Sequence, residues 1–327
     1  MPNVSKPPVA VGFDYAHNNR LILEANPFVD FVEFLFQQGY KLGKIELGWD
    51  LDKLSAYDVF VLGNMTDSYL ETEEIKTVLE YVRKGGSLFV VSDEGGDYSN
   101  QNNISELCEH FGVTFNADVV IDETQNAGKP EYPIIDRFEH HFICQNVHQI
   151  VHSSGCSLTI LKSREDENVD VTPLAFSGPN GRRRVFNGQE WVVRDHPGVP
   201  IMAACHYHAG KVLCLGNVSI FSSLGKRYGI NALDDRTLLA NSFAWLATKK
   251  KKGEGTVYYA VGLDADLYFW IQKLVQTGKW RSISDAVNFS LKVLRSSIAA
   301  NEGDEAGKED EGGAWHDSGG GSGGPDG

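Results

Sequence analysis

The stretch KGGSLFVVSDEGGD, residues 84–97, decides the fold of this chain. The glycine pair Gly85-Gly86 closes a helical pattern of apolar residues. A short apolar strand over residues 87–91 follows, and the turn over residues 92–96 then leads into a second helix. This succession of helix, apolar strand, short turn and helix is typical of a parallel α/β sheet.

The same alternation of strands and helices extends over residues 9–247. Strands are predicted at 9–13, 58–63, 118–121, 200–207 and 211–215, the last two forming a hairpin. The uninterrupted apolar run at 58–63 predicts a central strand that is covered on both faces. Residues 123–195 show a weaker pattern, typical of loops and antiparallel additions. The sequence therefore predicts an α/β fold with a doubly wound, mostly parallel sheet.

Helices are predicted between these strands and at the end of the sheet domain. Asn26 is expected to cap one of them, with Pro27 at its first position. Its inward stripe is predicted to contain Phe28, Phe31, Val32, Leu35 and Phe36. Further helices are predicted at 103–111 and 234–247.

Composition and charge narrow the classes of protein that this chain can be. No apolar run approaches the roughly 18 residues of a membrane span, so no membrane insertion is expected. The N-terminal residues lack the apolar core of a secretory signal. Five cysteines without a paired spacing suggest reduced thiols and a cytoplasmic location. The formal net charge of −14 argues against attraction of the whole surface to nucleic acid.

The charge is unevenly distributed and indicates four segments. The α/β domain is predicted over residues 1–248, and a basic linker over 249–255 follows it. A compact strand–helix–helix unit is predicted over 256–298. The tail over 299–327 is acidic and rich in glycine, and we expect it to be disordered.

Four stretches of the α/β region resemble the GIFT domain. They are VVSDEGGD (90–97), NQNNISEL (100–107), FGVTFNADVV (111–120) and GKVLCLGNVSIFS (210–222). This domain is shared by gliding-motility transport proteins and by a core subunit of the intraflagellar transport complex. It resembles class I glutamine amidotransferases in fold but lacks their catalytic cysteine. Here Glu94 stands at the position of that nucleophile, so the resemblance implies a domain without catalytic residues.

Polar residues follow several of the predicted strands, where ligands bind in open α/β sheets. This edge is a candidate site for a small polar ligand such as a sugar or nucleotide, and turn residues with no ligand are the alternative. The candidates are Asp14, His17, Asn64, Ser92, Asp93, Glu94, Gly95, Gly96 and Asn217. Glu94 could act as a general base only with a partner that no motif supplies. We expect no cofactor and no metal, because the spacing of His206 and His208 matches no strong zinc signature.

The run YAVGLDADLYFWIQKLVQTGKWRSISDAVNFSLKVL, residues 259–294, resembles a ribbon-helix-helix module. In this family two chains pair their strands and interlock their helices, so the resemblance implies a homodimer. The implied interface residues are Tyr259, Val261, Leu263, Leu267, Ile271, Leu274, Val287, Leu291 and Leu294.

Ribbon-helix-helix modules usually bind DNA, but this ribbon has no Arg or Lys to read bases. Nearby basic residues are instead candidates for contact with phosphates, which would depend strongly on salt. The candidates are Lys249, Lys250, Lys251, Lys252, Tyr258, Lys279, Arg281 and Ser284.

The sequence as a whole favours a non-enzymatic binding or scaffold protein that is dimerised by its C-terminal module. Its α/β domain would provide the surface for a protein partner or a small polar ligand. One alternative is a transcriptional regulator with an α/β sensor domain and a DNA-binding module. A second alternative is a hydrolase-like enzyme centred on Glu94.

Overall fold

The computed structural model describes residues 8–46, 48–161, 169–248, 264–277, 279–280, 283, 286–287, 289–291 and 293–294. Its contacts divide the chain into two units, Met1–Thr256 and Val257–Gly327, which are described separately. None of the described helices is long and apolar enough to cross a membrane.

The strands and helices of the described residues are numbered in chain order. The strands are β1 Ala10–Asp14, β2 Lys41–Ile45, β3 Val59–Leu62, β4 Ser87–Val91, β5 Val113–Phe115, β6 Asp118–Ile121, β7 Ile134–Ile135, β8 Arg137–Phe138, β9 Ile150–Val151, β10 Leu158–Ile160, β11 Val169–Phe176, β12 Arg182–Phe186, β13 Trp191–Asp195, β14 Pro200–Tyr207 and β15 Gly210–Leu215. The helices are α1 Val29–Gln37, α2 Leu51–Ser55, α3 Thr72–Arg83, α4 Gly96–Asn100, α5 Ile104–Glu109, α6 Asp235–Ala247 and α7 Ala265–Gln276.

The main sheet is mixed, and its parallel part positions the predicted site. Among the described strands, its order is β2-β1-β3-β4-β15-β14-β11-β8. The strands from β2 to β15 run parallel to one another, and β14, β11 and β8 add to them in antiparallel pairs. The carboxyl ends of β1, β3, β4 and β15 therefore meet at one edge of the sheet.

Both faces of this sheet are buried, as the apolar run at 58–63 predicted. Phe60 and Leu62 of β3 point into one hydrophobic core, whereas Val59 and Val61 point into the other. Phe31 of α1 and Phe243 of α6 pack in the core that contains Val59 and Val61. The continuous rather than alternating apolar pattern of β3 follows from this burial on both sides.

Several predicted element boundaries are confirmed, whereas two predictions about the first helix are wrong. The predicted strand at 87–91 and the hairpin of β14 with β15 are confirmed. Asn26 does not cap α1, because it begins a 3-10 turn, Asn26–Phe28, that precedes the helix. Phe36 was expected in the inward stripe but is 59% exposed.

A smaller sheet is built from the region with the weak sequence pattern. Its described strands have the order β13-β12-β6, and β6 is the strand predicted at 118–121. The hairpin of β12 and β13 begins about 60 residues after the end of β6, and its strand β12 pairs with β6. The start of β6 contacts the turn after β4, through the hydrogen bond from Gly95 N–H to the carbonyl oxygen of Asp118. Pairing with β6 therefore brings the β12–β13 hairpin towards that turn.

The C-terminal unit is described in part. Helix α7 is present where the sequence predicted a helix at 264–277. The described residues between 283 and 294 are helical as well. The predicted basic linker, the strand of the ribbon and the acidic tail lie outside the described residues.

Candidate functional site

The predicted ligand-binding residues meet at the carboxyl edge of the parallel strands. Asp14 ends β1, Asn64 follows β3, Ser92 follows β4 and Asn217 follows β15. Asp14, Asn64, Ser92 and Asn217 are all at most 2% exposed. These residues are therefore part of the packed edge of the sheet rather than free surface groups.

Asp14 is the centre of a hydrogen-bond network after β1. Its Oδ1 accepts a hydrogen bond from Trp49 Nε1 at 3.1 Å, and its Oδ2 accepts one from Asn19 Nδ2 at 2.6 Å. His17 Nδ1 lies 3.0 Å from the same Oδ2. The other ring nitrogen of His17, Nε2, lies 3.2 Å from Glu74 Oε2 on α3. His17 is thus held between two carboxylates.

The position of His17 changes its pKa. Burial lowers the pKa of the imidazole, but the hydrogen bonds and charges of Asp14 and Glu74 outweigh burial and raise the pKa above its ordinary value of 6.5. In the protonated ring both nitrogens donate, so both carboxylates are satisfied together. In its protonated form, His17 therefore links the loop after β1 to helix α3.

Arg20 joins the loop after β1 to the turn after β4. Its Nη1 donates to Oδ2 of Asp93 at 2.8 Å. Burial raises the pKa of Asp93 to about 7, although the charge of Arg20 acts in the opposite direction. Asp93 can therefore take up a proton near neutral pH.

Two asparagines hold the turn after β4 from the sheet side. Asn64 Nδ2 donates to Asn100 Oδ1 at 2.9 Å. Asn100 in turn donates from Nδ2 to the carbonyl oxygen of Gly96 at 2.7 Å and to that of Glu94 at 3.2 Å. Asn64 thus supports the turn indirectly, which explains its complete burial.

The glycine pair of the turn, Gly95-Gly96, packs against the start of β6 and the residues before it. The backbone N–H of Gly95 donates to the carbonyl oxygen of Asp118 at 2.9 Å. Gly95 and Gly96 have φ of 76° and 54°, which favour glycine. A Cβ on Gly96 would lie 2.6 Å from the carbonyl oxygen of Asn116. The local backbone therefore requires glycine for its conformation and for this close approach.

The side chain of Glu94 points towards the β12–β13 hairpin. This side chain is 42% exposed, and its Oε1 lies 3.5 Å from Nη2 of Arg184. Nη1 of Arg184 lies 3.1 Å from Oε1 of Glu131. An exposed pair of this kind contributes little to stability. Glu94 is therefore a partly solvated carboxylate that shares an arginine with a second carboxylate.

The sequence analysis missed the buried acid that anchors β6. Asp118 is fully buried, and its oxygens accept hydrogen bonds from the backbone N–H and the hydroxyl of Ser157 at 2.8 and 2.6 Å. Arg183 of β12 also donates to this carboxylate. The run Arg182-Arg183-Arg184 was the available signal, but Arg183 is 65 residues from Asp118, too far along the chain for the pairing to be read from the sequence.

Some polar atoms at this edge have no partner within the described part of the chain. These buried oxygens are Oδ1 of Asn19, Asn64, Asp93 and Asn217. Asn217 directs its Nδ2 to the carbonyl oxygen of Val151 at 3.1 Å. Each free oxygen can accept a hydrogen bond from water or from a small polar ligand. No group of three or more His, Cys, Asp or Glu among the described residues has the arrangement of a metal site.

The described C-terminal residues expose many of their apolar side chains. Of the predicted interface, Ile271 is 5% exposed, but Leu267, Leu291 and Leu294 are 44%, 56% and 55% exposed. Leu274 and Val287 are half-buried, and Lys279 is exposed. The other interface and phosphate candidates lie outside the described residues: Tyr259, Val261, Leu263, Lys249, Lys250, Lys251, Lys252, Tyr258, Arg281 and Ser284.

Comparison with known proteins agrees with the GIFT resemblance. Residues 30–126 match the family model of the IFT52 GIFT domain. The structure of the mmIFT52 N-terminal domain is similar with a TM-score of 0.60 and 18% identity, covering 76% of this chain and 100% of that one. No curated protein matches the chain by sequence.

Two further structures are similar at lower TM-scores. One is a cytoplasmic protein from Salmonella typhimurium, with 13% identity, a TM-score of 0.48 and coverage of 72% of this chain and 98% of that one. The other is a ThuA-like protein from Bacteroides uniformis, with 15% identity, a TM-score of 0.45 and coverage of 78% and 98%. The chain thus contains a region, residues 30–126, that matches the IFT52 GIFT domain, and its α/β unit has the fold of the IFT52 N-terminal domain.

Proposed function

We propose that the α/β unit is a non-enzymatic scaffold domain whose function is to bind a protein partner. The observation that carries this proposal is the hydrogen bond from the Gly95 N–H to the carbonyl oxygen of Asp118, at 2.9 Å. In hydrolases with a nucleophile at a strand end, the N–H of the residue after the nucleophile stabilises the oxyanion. Gly95 is the residue after Glu94, and its N–H is already bound within the fold.

The surroundings of Glu94 also argue against catalysis. A general base must be positioned against the proton that it removes, and a second group usually supplies or accepts the proton later. Glu94 is instead partly solvated and paired with Arg184, which also pairs with Glu131. A guanidinium group has hydrogen-bond donors but no acceptor, so Arg184 cannot serve as the second proton-transfer group.

The GIFT resemblance favours a protein partner over a small ligand. The edge where a small ligand would bind is crossed by the Arg20–Asp93 ion pair and the Asn64–Asn100 hydrogen bond. The buried free oxygens at this edge keep a small polar ligand as the second candidate. Five cysteines without a disulfide suit a reducing compartment, and we place the protein in the cytoplasm.

The C-terminal unit would join two such chains. Its described residues include eight large apolar side chains that are at least 39% exposed: Leu267, Tyr268, Phe269, Trp270, Phe289, Leu291, Val293 and Leu294. Apolar surface of this extent usually marks an interaction site. A second copy, interlocked as in ribbon-helix-helix modules, would cover it and present two α/β domains to a repeated partner. A transcriptional regulator remains the alternative, with Lys279 as its described phosphate candidate.

Turnover assays on matched variants test the proposal. Purified full-length chain would be screened against ester, amide and glycoside substrates, together with Glu94→Gln and the exposed control Glu190→Gln. We expect no turnover above the rate in buffer for any of the three proteins. Turnover that Glu94→Gln abolishes and Glu190→Gln retains would contradict the non-enzymatic proposal and favour the hydrolase alternative.

A further inference from the structure

An open cleft of about 430 Å³ lies on the α/β unit between two loops. The first loop contributes Ala127 and Gly128, and the second contributes Lys226, Arg227, Ala232 and Leu233. Ile134 of β7 and Val151 of β9 also line the cleft. None of the predicted strand-end residues lines this cleft. It is therefore a separate surface, and no pattern in the sequence predicted it.

The cleft has an apolar floor and an apolar rim. Val151 and Ala232 are 1% and 2% exposed and form part of the floor. Leu233 lies at the rim, where it is 52% exposed. Its φ of 40° is in the left-handed region, which a leucine rarely adopts. Strained conformations of this kind cluster at binding sites, and here the strain holds an apolar side chain in solvent.

Cationic side chains surround this apolar surface. Lys226 and Arg227 line the cleft, and Nζ of Lys129 lies 5.4 Å from the ring centre of Tyr132 beside it. Among the described residues, none of these three cations forms an ion pair with a carboxylate. In a chain with a formal net charge of −14, such a group of unpaired cations stands out from the average surface.

The position of Arg227 depends on Gly128. A Cβ on Gly128 would lie 2.5 Å from Nη1 of Arg227. The guanidinium group therefore lies close against the backbone of the facing loop, across the cleft. This contact places a planar group of hydrogen-bond donors at the mouth of the cleft, in a form that suits a carboxylate.

The acidic residues nearby do not neutralise these cations. Asp234 Oδ2 accepts hydrogen bonds from the backbone N–H groups of His148 and Gln149 at 2.8 and 3.1 Å. Asp235 is fully buried, and its Oδ1 accepts a hydrogen bond from the N–H of Val151 at 3.0 Å. Both carboxylates are directed to backbone groups, so the cations remain available to a ligand.

We propose that this cleft is the docking site for an acidic peptide segment of a partner protein. Carboxylates of the segment pair with Lys226 and Arg227, and an apolar side chain beside them packs on Leu233 and the floor. Charge complementarity selects an acidic partner, and the adjoining apolar surface selects a peptide over a free anion. This inference rests on the proposed binding function and assigns a surface to it.

A displayed library of random 12-residue peptides, selected on the full-length chain, tests this inference. We expect the enriched peptides to combine acidic residues with at least one large apolar residue. A labelled synthetic copy of the most enriched peptide would then be titrated by fluorescence anisotropy. Arg227→Glu should weaken its binding at least tenfold, whereas Lys41→Glu, at an exposed lysine on β2, should leave the affinity unchanged.

Leu233→Asn separates a binding role from a structural one. Asparagine tolerates a positive φ better than leucine, so the unfolding midpoint should stay the same or rise. Peptide affinity should nevertheless fall severalfold, because the apolar contact is lost. A purely structural Leu233 would instead change stability without a specific loss of affinity, and that result would overturn its assigned role.

Three other results would overturn the docking site. They are the absence of any enriched peptide, enrichment of neutral or basic peptides, and equal affinity of wild type and Arg227→Glu. Displacement of the peptide by millimolar inorganic phosphate, with no effect of Leu233→Asn, would indicate a small-anion site instead. None of these outcomes bears on the turn around Gly95, so the non-enzymatic proposal is tested separately.

Discussion

Nη1 of Arg20 lies 2.8 Å from Oδ2 of Asp93. This contact joins the loop after β1 to the turn after β4, across the carboxyl ends of the parallel strands. The arginine side chain is 50% exposed and the aspartate side chain is 8% exposed. The link therefore combines a solvated cation with a buried acid, and the acid determines how the link responds to pH.

The stability of the protein should depend on the protonation of Asp93. Burial raises the pKa of Asp93 from 3.8 to about 7, so the folded chain retains a proton that the unfolded chain releases. The contribution of Asp93 is therefore present below pH 4 and is lost as the pH rises to about 7. Between pH 4 and pH 8, the free energy of unfolding should therefore fall by up to about 4 kcal/mol less in Asp93→Asn than in wild type.

Urea unfolding of both proteins at pH 4 and pH 8 measures this difference. Burial also raises the pKa of Asp97, to about 6, but Asp97 titrates in both proteins. Its contribution cancels when the two proteins are compared. Equal losses of stability in wild type and Asp93→Asn would show that Asp93 is ionised throughout.

His17 should titrate above the ordinary value of 6.5 because Asp14 and Glu74 favour its charged form. Its stabilising contribution is then complete below pH 6.5 and is lost as the pH rises through the pKa of the folded state. Glu74→Gln should lower the pKa of His17 measured by NMR titration of the imidazole. Glutamine can keep the cap at the start of α3, so the fold should be retained.

Glu73→Gln is the matched control for this titration. Glu73 is the neighbour of Glu74 on α3, and its carboxylate pairs with Lys76 at 2.6 Å rather than with His17. We expect the pKa of His17 to be unchanged in this variant. A His17 that titrates identically in Glu74→Gln and wild type would argue against the contact with Glu74.

Gly96 should tolerate substitution less well than Gly39, which also has a positive φ. Gly96→Ala introduces a side chain at positive φ and places Cβ 2.6 Å from the carbonyl oxygen of Asn116. We expect a loss of about 3 kcal/mol, from backbone strain and overpacking together. Gly39 has a φ of 81° with nothing within 4 Å of the added Cβ, so Gly39→Ala should cost about 1 kcal/mol.

Thermal or urea unfolding of the two alanine variants gives the comparison. The difference between them isolates the close approach of the turn to the segment before β6. Equal losses for Gly96→Ala and Gly39→Ala would mean that the turn is not packed against that segment.

A dimer should depend on the exposed apolar residues of α7. Leu267 is 44% exposed within the single chain, so Leu267→Glu should leave the fold of the chain intact. In a dimer the same substitution would bury a charge, and the mass by light scattering should fall by half. Gln276→Glu adds the same charge at another exposed position of α7 and should leave the mass unchanged. A wild-type chain that is monomeric at high micromolar concentration would contradict the dimer.

The parallel half of the fold could be predicted from sequence because its signals are local. Two of its strands, Val59–Leu62 and Ser87–Val91, lie next to glycine-containing turns. Because both strands are buried on both faces, their sequences are almost continuously apolar. β2, Lys41–Ile45, was missed because it is an edge strand with two exposed lysines and only one buried residue, Ile45. Between 123 and 195, β10 pairs with β5 and β12 pairs with β6, and local periodicity cannot reveal such distant pairings.

The candidate site could be predicted only where its residues follow strands directly. Asp14 ends β1 and His17 follows three residues later, so their proximity could be read from the sequence alone. Their partner Glu74 is 57 residues from His17, and Arg184 is 90 residues from Glu94. Such contacts depend on the order of strands in the sheets, which the sequence did not specify. The cleft beside Leu233 was missed for the same reason, because it joins two loops that are distant in the chain.

Hydrogen exchange at the amide of Gly95 tests the central claim most directly. If this N–H donates to Asp118, it should exchange as slowly as the buried amides of β4 and show strong protection by NMR. Exchange at the rate of an exposed amide would contradict the account. The N–H after Glu94 would then be free to bind a substrate oxygen, and the turn would be open for chemistry.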